Sequence, residues 1–293
     1  MYKKMLIPLD GSPLAEKVLP YAKQIADRLT LEPIFLHICG RDESKFMCEA
    51  YIEHVAELAK TRLEAKGKTA SGEPAKTILN YADDHNIDML LLATHGESGF
   101  GGWTTGRTVH RILTASKIPI ILVRPDMPVT SISRDWPKTI LVPLDGSPMA
   151  ESVFPHLEML AQQGRTKLEV ILLKVCEPPD LLSDYPEGIM PLTWDEHVKK
   201  ATVASQHTCG MYLSEAQKHL QASGVQIQLE VILGDKDNVA HEIADFASKR
   251  SCDLIAMSTH GRSGISEWPF GHVADKLVRT VSVPLFLVRP QIL

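Results

Sequence analysis

The chain has 293 residues, of which 44% are hydrophobic and 23% are charged, and its formal net charge is −5. This is the composition of a globular protein, and it excludes the collagen-like, coiled-coil and intrinsically disordered classes. The acidic balance provides no basic surface for nucleic-acid phosphates, so we predict no nucleic-acid partner.

The amino-terminal residues Met1–Lys4 precede only a short apolar stretch, without the apolar core and cleavage site of a signal peptide. The longest apolar runs, such as Ile118–Val123, have the length of a strand and cannot span a bilayer. The five cysteines contain no C-x-x-C pair, which argues against a disulfide framework or a zinc knuckle. We therefore predict a soluble, cytoplasmic protein with no membrane contact and no metal site.

Strand and helix patterns alternate along the first half of the chain. Ser12 followed by Pro13 is typical of a helix start. Near-continuous apolar strands separated by helices indicate a parallel sheet covered on both faces. In chain order the predicted elements are a strand at Lys4–Pro8, a helix at Ala15–Leu29, a strand at Pro33–Cys39, helices at about Lys45–Lys66 and Ala75–His85, a strand at Met89–Ala93, a helix at Arg107–Ser116 and a strand at Ile118–Val123.

The second half of the chain repeats the first. Lys3–Pro20 reads KKMLIPLDGSPLAEKVLP, and Lys138–Pro155 reads KTILVPLDGSPMAESVFP. A second matching pair begins DMLLLATHGESG at Asp88 and DLIAMSTHGRSG at Asp253, and each member ends in an LVRP strand. The chain is therefore a duplication.

The duplication predicts two doubly wound α/β domains with parallel sheets, at 1–127 and 138–293, joined by a linker at 128–137. The halves differ where an edge strand is expected. Val225–Leu233 alternates like a half-buried strand, whereas the corresponding stretch of the first half is only KGKTASG at 66–72. The first domain should have a shortened or missing edge strand.

A ligand is expected at one edge of each sheet, because open parallel sheets bind ligands at the carboxyl ends of their strands. Three segments should meet there: the turn after the first strand, the exit of the second strand and the loop after the fourth strand. In that loop nine residues separate two glycines, and the second glycine directly precedes a helix. A helix N-terminus approached by glycine backbone suits a phosphate group.

The duplicated PLDGSP turn, the THG loop with its second glycine and the closing P-x-x-L-V-R-P strand resemble the universal stress protein family over nearly the whole chain. The resemblance implies five-stranded sheets of order 3-2-1-4-5. It also implies pairing of the last strands, Ile118–Val123 and Pro284–Val288, as an intra-chain pseudo-dimer, with a further homodimer left open. The implied function is a stress response in which an adenine nucleotide, ATP or AMP, is bound. Mg²⁺ would enter only with the nucleotide.

Nucleotide-binding members of that family carry the motif G-x2-G-x9-G-[ST]. Each half here keeps two of the three glycines, while Ala93 or Ser258 replaces the first and Arg107 or His272 replaces the final Ser/Thr. By resemblance, the aspartates of the PLDGSP turns would hold the ribose or adenine side, and the strand-two exits would contact adenine through their backbone. The predicted nucleotide-binding residues are Pro8, Asp10, Ile38, Ala93, His95, Gly96, Gly106, Arg107 and Thr108 in the first half and Pro143, Asp145, Val175, Ser258, His260, Gly261, Gly271, His272 and Val273 in the second.

Several of these residues have simpler interpretations. Asp10 and Asp145 can order a tight Asp-Gly turn without touching a ligand. His95 and His260 have no carboxylate or cysteine at ligand spacing nearby, which favours structural loop histidines over metal or acid–base chemistry.

Two further pairs of residues match between the halves. Cys39 and Cys176 could sense oxidation, but a small buried hydrophobe is the favoured interpretation. Trp103 and Trp268 could cap a ligand or pack under the loop. The irregular segment at 177–194 is either a lid or a surface connection.

An enzymatic function is not predicted, and no catalytic residue is assigned. The chain has no phosphate-binding G-x-x-x-x-G-K-[ST] motif, no G-x-S-x-G elbow and no H-E-x-x-H motif. Any ATP hydrolysis would be slow and incidental. The alternative to nucleotide binding is an interaction scaffold that acts through protein partners.

Overall fold

The computed structural model describes residues 1–59, 61–94, 106–127, 136–164, 167–177, 194–220, 225–260 and 271–290. Several predictions lie outside these residues. They concern His95, Gly96, Gly261, Trp103, Trp268, most of the linker at 128–137 and most of the segment at 177–194.

Strands and helices alternate through both halves, as the apolar pattern predicts. In each half the first strand leads into a short 3-10 helix, at Ala15–Val18 or Ala150–Val153, before the first α-helix. The strands are β1 Lys4–Leu9, β2 Glu32–Cys39, β3 Lys66–Ser71, β4 Met89–Ala93, β5 Ile120–Val123, β6 Thr139–Pro143, β7 Leu168–Cys176, β8 Val225–Leu233, β9 Leu254–Ser258 and β10 Leu285–Val288. The helices are α1 Leu19–Leu29, α2 Lys45–Ala59, α3 Pro74–Asp84, α4 Arg107–Ala115, α5 Phe154–Gln163, α6 Trp194–His219, α7 Val239–Lys249 and α8 His272–Thr280.

The ten strands form one sheet of order β3-β2-β1-β4-β5-β10-β9-β6-β7-β8. Within each half all neighbouring strands are parallel, and both halves have the order 3-2-1-4-5 counted from their own first strand. The predicted fold class is confirmed. Among the described helices, none combines the length and the apolar character that crossing a bilayer requires.

The edge strand of the first half is short but present. The prediction of a helix over Lys45–Lys66 is wrong at its end, because α2 stops at Ala59 and Lys66 begins β3. The sequence KTRLEAK at 60–66 favours a helix locally, but β2 offers an edge of unpaired backbone groups. Lys66–Ser71 pairs with Ile34–Cys39 along that edge and satisfies those groups.

The two halves join through their last strands. β5 and β10 pair antiparallel, with Phe286 opposite Ile121, and all four residues of each strand are buried. The predicted pairing of the last strands within one chain is therefore present. Outside the sheet, the Tyr2 hydroxyl lies 2.6 Å from His156 Nδ1 across the same boundary. Trp136, in the predicted linker, is buried and packs edge-on against Tyr21 of α1.

Two glycines should respond to alanine with opposite signs. A Cβ at Gly67 of β3 would lie 2.8 Å from the Ile52 carbonyl oxygen of α2, whereas a Cβ at Gly210 within α6 would meet nothing within 4 Å. We expect Gly67→Ala to lower the free energy of unfolding by about 1–3 kcal/mol because backbone must move. Gly210→Ala should raise it by about 1 kcal/mol, since alanine favours the helix. Urea denaturation of both variants measures this, and equal effects would contradict the close approach of β3 to α2.

The boundary between the halves should be sensitive to acid through His156. Burial lowers the pKa of this imidazole, so it is neutral in the folded protein. Between its folded pKa and its unfolded value of about 6.5, the unfolded chain binds a proton that the folded chain does not. The free energy of unfolding should therefore fall as the pH drops through about 6.5. His156→Gln should lose less stability than the wild type between pH 7.5 and 5.5 in urea titrations, and identical losses would exclude this role.

Candidate functional site

A cavity of about 270 Å³ opens at the carboxyl edge of the second half of the sheet. The ends of β6, β7 and β9 form its floor, the start of α8 forms one side, and Val239 and Ile243 of α7 contribute an apolar wall. This is the edge at which an open parallel sheet of this topology binds ligands. The volume is just below the range of about 300–1,000 Å³ that is usual for small-molecule sites.

All the predicted site residues of the second half that the structure describes line this cavity. They are Pro143, Asp145, Val175, Ser258, His260, Gly271, His272 and Val273. Their counterparts in the first half lie at the equivalent ends of β1, β2 and β4 and at the start of α4, with the side chains of Asp10 and Arg107 exposed to solvent. These counterparts are Pro8, Asp10, Ile38, Ala93, Gly106, Arg107 and Thr108.

The aspartates order the turns after the first strand of each half. Asp145 Oδ1 accepts a hydrogen bond of 2.8 Å from the Ser147 amide, and Asp10 Oδ1 accepts one of 3.0 Å from the Ser12 amide. The intervening Gly146 has φ +95°, a conformation that favours glycine. The turn-forming interpretation thus holds for both aspartates. Asp145 additionally lines the cavity.

The loop after β9 closes on the start of α8. The Gly271 amide donates a hydrogen bond of 2.7 Å to the Thr259 carbonyl, and His272, Val273 and Ala274 line the cavity from the first turn of α8. The positive end of this helix dipole therefore lies beside the cavity. In the first half the Gly106 amide makes the equivalent bond of 3.0 Å to the Thr94 carbonyl.

His260 is held by its immediate neighbours. It is buried, its Nδ1 lies 2.9 Å from Thr259 Oγ1, and its amide donates a hydrogen bond of 3.3 Å to Ser258 Oγ. These contacts agree with a structural loop histidine. The ring also lines the cavity, so its position determines the shape of the floor.

Lys174 also belongs to the site, although it is not among the predicted residues. This lysine of β7 is 8% exposed, lines the cavity and donates a hydrogen bond of 2.7 Å from Nζ to the Asp145 carbonyl. Its Nζ therefore lies against the turn that carries Asp145. The signal was a single charged residue inside the apolar run VILLKVC, since lysine is rarely buried without a specific partner.

A family model described as "Universal stress protein family" matches residues 1–124 and 137–289, which is nearly the whole chain. The chain belongs to the universal stress protein family. Each half of the duplication is thus one unit of the family, and the protein is a tandem member.

Two curated relatives each match about half of this tandem protein. The universal stress protein YxiE of Bacillus subtilis is 28% identical over 149 residues, which cover 42% of this chain and all of YxiE. The universal stress protein MJ0531 of Methanocaldococcus jannaschii is 26% identical over 152 residues, which cover 52% of this chain and 82% of that protein.

Solved universal stress proteins match across both halves. One from Archaeoglobus fulgidus has a TM-score of 0.62 at 17% identity and covers 98% of each chain. A second, described as a putative universal stress protein of Pseudomonas aeruginosa, has a TM-score of 0.61 at 15% identity and covers 99% of this chain and 94% of its own. At these identities the likeness concerns the tandem fold.

Proposed function

We propose that this universal stress protein binds an adenine nucleotide, ATP or AMP, in the cavity of its second half and that the bound state signals to protein partners in a stress response. The observation that carries the proposal is the convergence of the predicted residues from β6, β7, β9 and α8 on one cavity. Such convergence at the carboxyl edge of a parallel sheet supports a ligand site over a purely structural loop.

The lining supports a nucleotide in particular. Val175, Val239 and Ile243 provide apolar surface for a purine, and Asp145 provides a carboxylate for hydroxyl groups of the sugar. The first turn of α8, which begins after Gly271, offers backbone N–H groups and a positive dipole end for the phosphates. Mg²⁺ would arrive with the nucleotide and has no role in the protein alone.

Ser258 and His272, the two residues of the second half that depart from the family motif, are compatible with nucleotide binding. Ser258 is buried, and its hydroxyl accepts a hydrogen bond from the His260 amide, so it is turned to a local partner. His272 is exposed at the start of α8 and can donate one hydrogen bond to a phosphate oxygen. No catalytic residue is part of the proposal, and slow ATP hydrolysis would be incidental.

We infer that the first half provides a second nucleotide site, in addition to the one in the second half. It would use Ala93, Gly106 and the exposed Arg107, whose guanidinium matches phosphate oxygens.

We also propose that the two domains span 1–127 and 138–293 and that a linker at 128–137 joins them.

Calorimetric titration with ATP, ADP and AMP tests the proposal. We expect saturable binding by the wild type. Gly271→Ala should lower the affinity for nucleotide at least tenfold, because a methyl group would stand where the phosphates would approach the backbone. The substitution should leave the fold intact, since the new Cβ would meet the Thr259 carbonyl oxygen at an ordinary 3.4 Å. Gly106→Ala, which meets Thr94 at 3.6 Å, is the matched control and should leave binding to the second half unchanged.

The outcomes separate the alternatives. Binding lost in Gly106→Ala but kept in Gly271→Ala would move the site to the first half. Absence of binding up to millimolar nucleotide would overturn the proposal and favour the interaction scaffold. Thermal denaturation of each variant without ligand verifies that both are folded, and nucleotide should raise the wild-type midpoint through its binding to the folded state.

A further inference from the structure

Three potential metal ligands meet at the carboxyl end of β2 in the first half. His37 and Cys39 come from β2 and Cys48 from the first turn of α2, and the ligand atoms of the three all lie within 4.8 Å of one another. His37 and Cys48 are buried, while Cys39 is half-buried. Among the described residues this is the one such group that has three members. Nitrogen and sulfur ligands of this kind suit zinc.

Glu43 supplies a fourth potential ligand. Its Oε2 lies 3.3 Å from His37 Nε2 and 3.6 Å from Cys48 Sγ. Zinc–ligand distances of about 2.0–2.3 Å place the ligands of a tetrahedral site about 3.3–3.8 Å apart. The two separations that involve Glu43 therefore fall within the range of tetrahedral ligands. The Glu43 side chain is half exposed, which gives an ion a path from solvent.

The orientation of His37 is an independent observation. Its Nδ1 lies 3.0 Å from the Leu9 carbonyl oxygen, which can only accept, so Nδ1 carries the proton. The other ring nitrogen, Nε2, lies 3.3 Å from Glu43 Oε2 and is the atom that would bind a metal ion. A histidine that donates from one nitrogen to a backbone carbonyl and faces a ligand cluster with the other is the usual arrangement in zinc sites.

We propose that His37, Cys39, Cys48 and Glu43 form a zinc site in the first half of the chain. At least one ligand of this set is replaced in the second half, because Lys174 stands where the first half has His37. Its ammonium group, bonded to the Asp145 carbonyl, would repel a metal ion. The proposal thus assigns the metal to the first half, and it does not depend on nucleotide binding.

Competition between the reduced, metal-free full chain and a chromophoric zinc chelator tests the site. We expect one high-affinity zinc ion per chain and at least a tenfold loss of affinity in Cys48→Ser and in His37→Lys, which copies the second half. Cys209→Ser is the matched control from the second half and should bind like the wild type. Co²⁺ should give thiolate-to-metal charge-transfer absorption and the visible bands of a tetrahedral site, and both should be weaker in the same variants at equal Co²⁺ concentration.

Three results would overturn the zinc site. These are a wild-type chain that takes no zinc from the chelator, binding that is unchanged in Cys48→Ser, and binding that is lost equally in the Cys209→Ser control. Cys39→Ser, at the half-buried position, serves where Cys48→Ser is unfolded. Circular dichroism of each variant verifies folding before titration.

A second inference rests on a different contact. Cys176 at the end of β7 and Cys209 on α6 have their Sγ atoms 2.7 Å apart, and Ser205 Oγ lies 3.0 Å from Cys176 Sγ. We infer that this pair is a reversible dithiol site that a peroxide oxidises. One thiolate attacks a peroxide oxygen and forms a sulfenic acid with release of water or hydroxide. The other thiolate then displaces the hydroxyl group, so that one S–S bond forms and the peroxide has taken up two electrons.

Differential alkylation and mass spectrometry test the dithiol site. After treatment with hydrogen peroxide in metal-free buffer, peptides carrying Cys176 and Cys209 should be joined by a disulfide and should resist alkylation until reduced. Cys252 is an internal control, because burial raises the pKa of its thiol to about 11 and it should stay reduced. Full alkylation of both thiols after treatment, or irreversible oxidation without linkage, would overturn the inference, and Cys209→Ser should abolish the linked peptide.

Discussion

The antiparallel pairing of β5 with β10 is the contact on which the tandem architecture depends. Each half ends its sheet with a short strand, IILV or LFLV, whose side chains are all apolar and buried. An apolar edge strand left open would expose unpaired backbone groups and invite association with another chain. Pairing the two edges within one molecule satisfies both sets of groups and produces a single ten-stranded sheet.

This pairing also determines where the ligand sites lie. The strands within each half are parallel, but the halves run in opposite directions because β5 and β10 are antiparallel. The carboxyl ends of the first half therefore point away from those of the second. The proposed zinc site at the end of β2 and the cavity at the ends of β6, β7 and β9 therefore lie at opposite ends of the strands.

Much of the fold could be predicted from the sequence because its patterns are local and repeated. The apolar runs located the strands of both halves, and the duplication indicated that the two halves share one topology. The prediction that α2 extends to Lys66 was wrong because it considered local helix propensity and no competing strand pairing. The competing interaction is the pairing of Lys66–Ser71 with the open edge of β2, which is distant in sequence. The sequence KGKTAS is too polar to show the apolar alternation that would have predicted this strand.

For the same reason, the sequence predicted some residues of the candidate site and not others. Residues in motifs, such as Asp145 and Gly271, were found because spacing alone brings them to the end of a strand or the start of a helix. Lys174 was missed because its partner is a backbone carbonyl, which no sequence pattern shows. The partners of Cys39 and Cys176 were missed because each pair joins a strand to the following helix, and the helix phase that brings the sulfurs together cannot be read from spacing.

The duplicated halves share a geometry but differ in the residue two places before the strand-end cysteine. His37 bonds through Nδ1 to the Leu9 carbonyl at the end of β1, and Lys174 bonds through Nζ to the Asp145 carbonyl in the turn after β6. A lysine Nζ is a donor that suits an anionic ligand, whereas a histidine has a second ring nitrogen that can bind a metal ion. The same strand position therefore supports the proposed metal site in the first half and the proposed nucleotide site in the second.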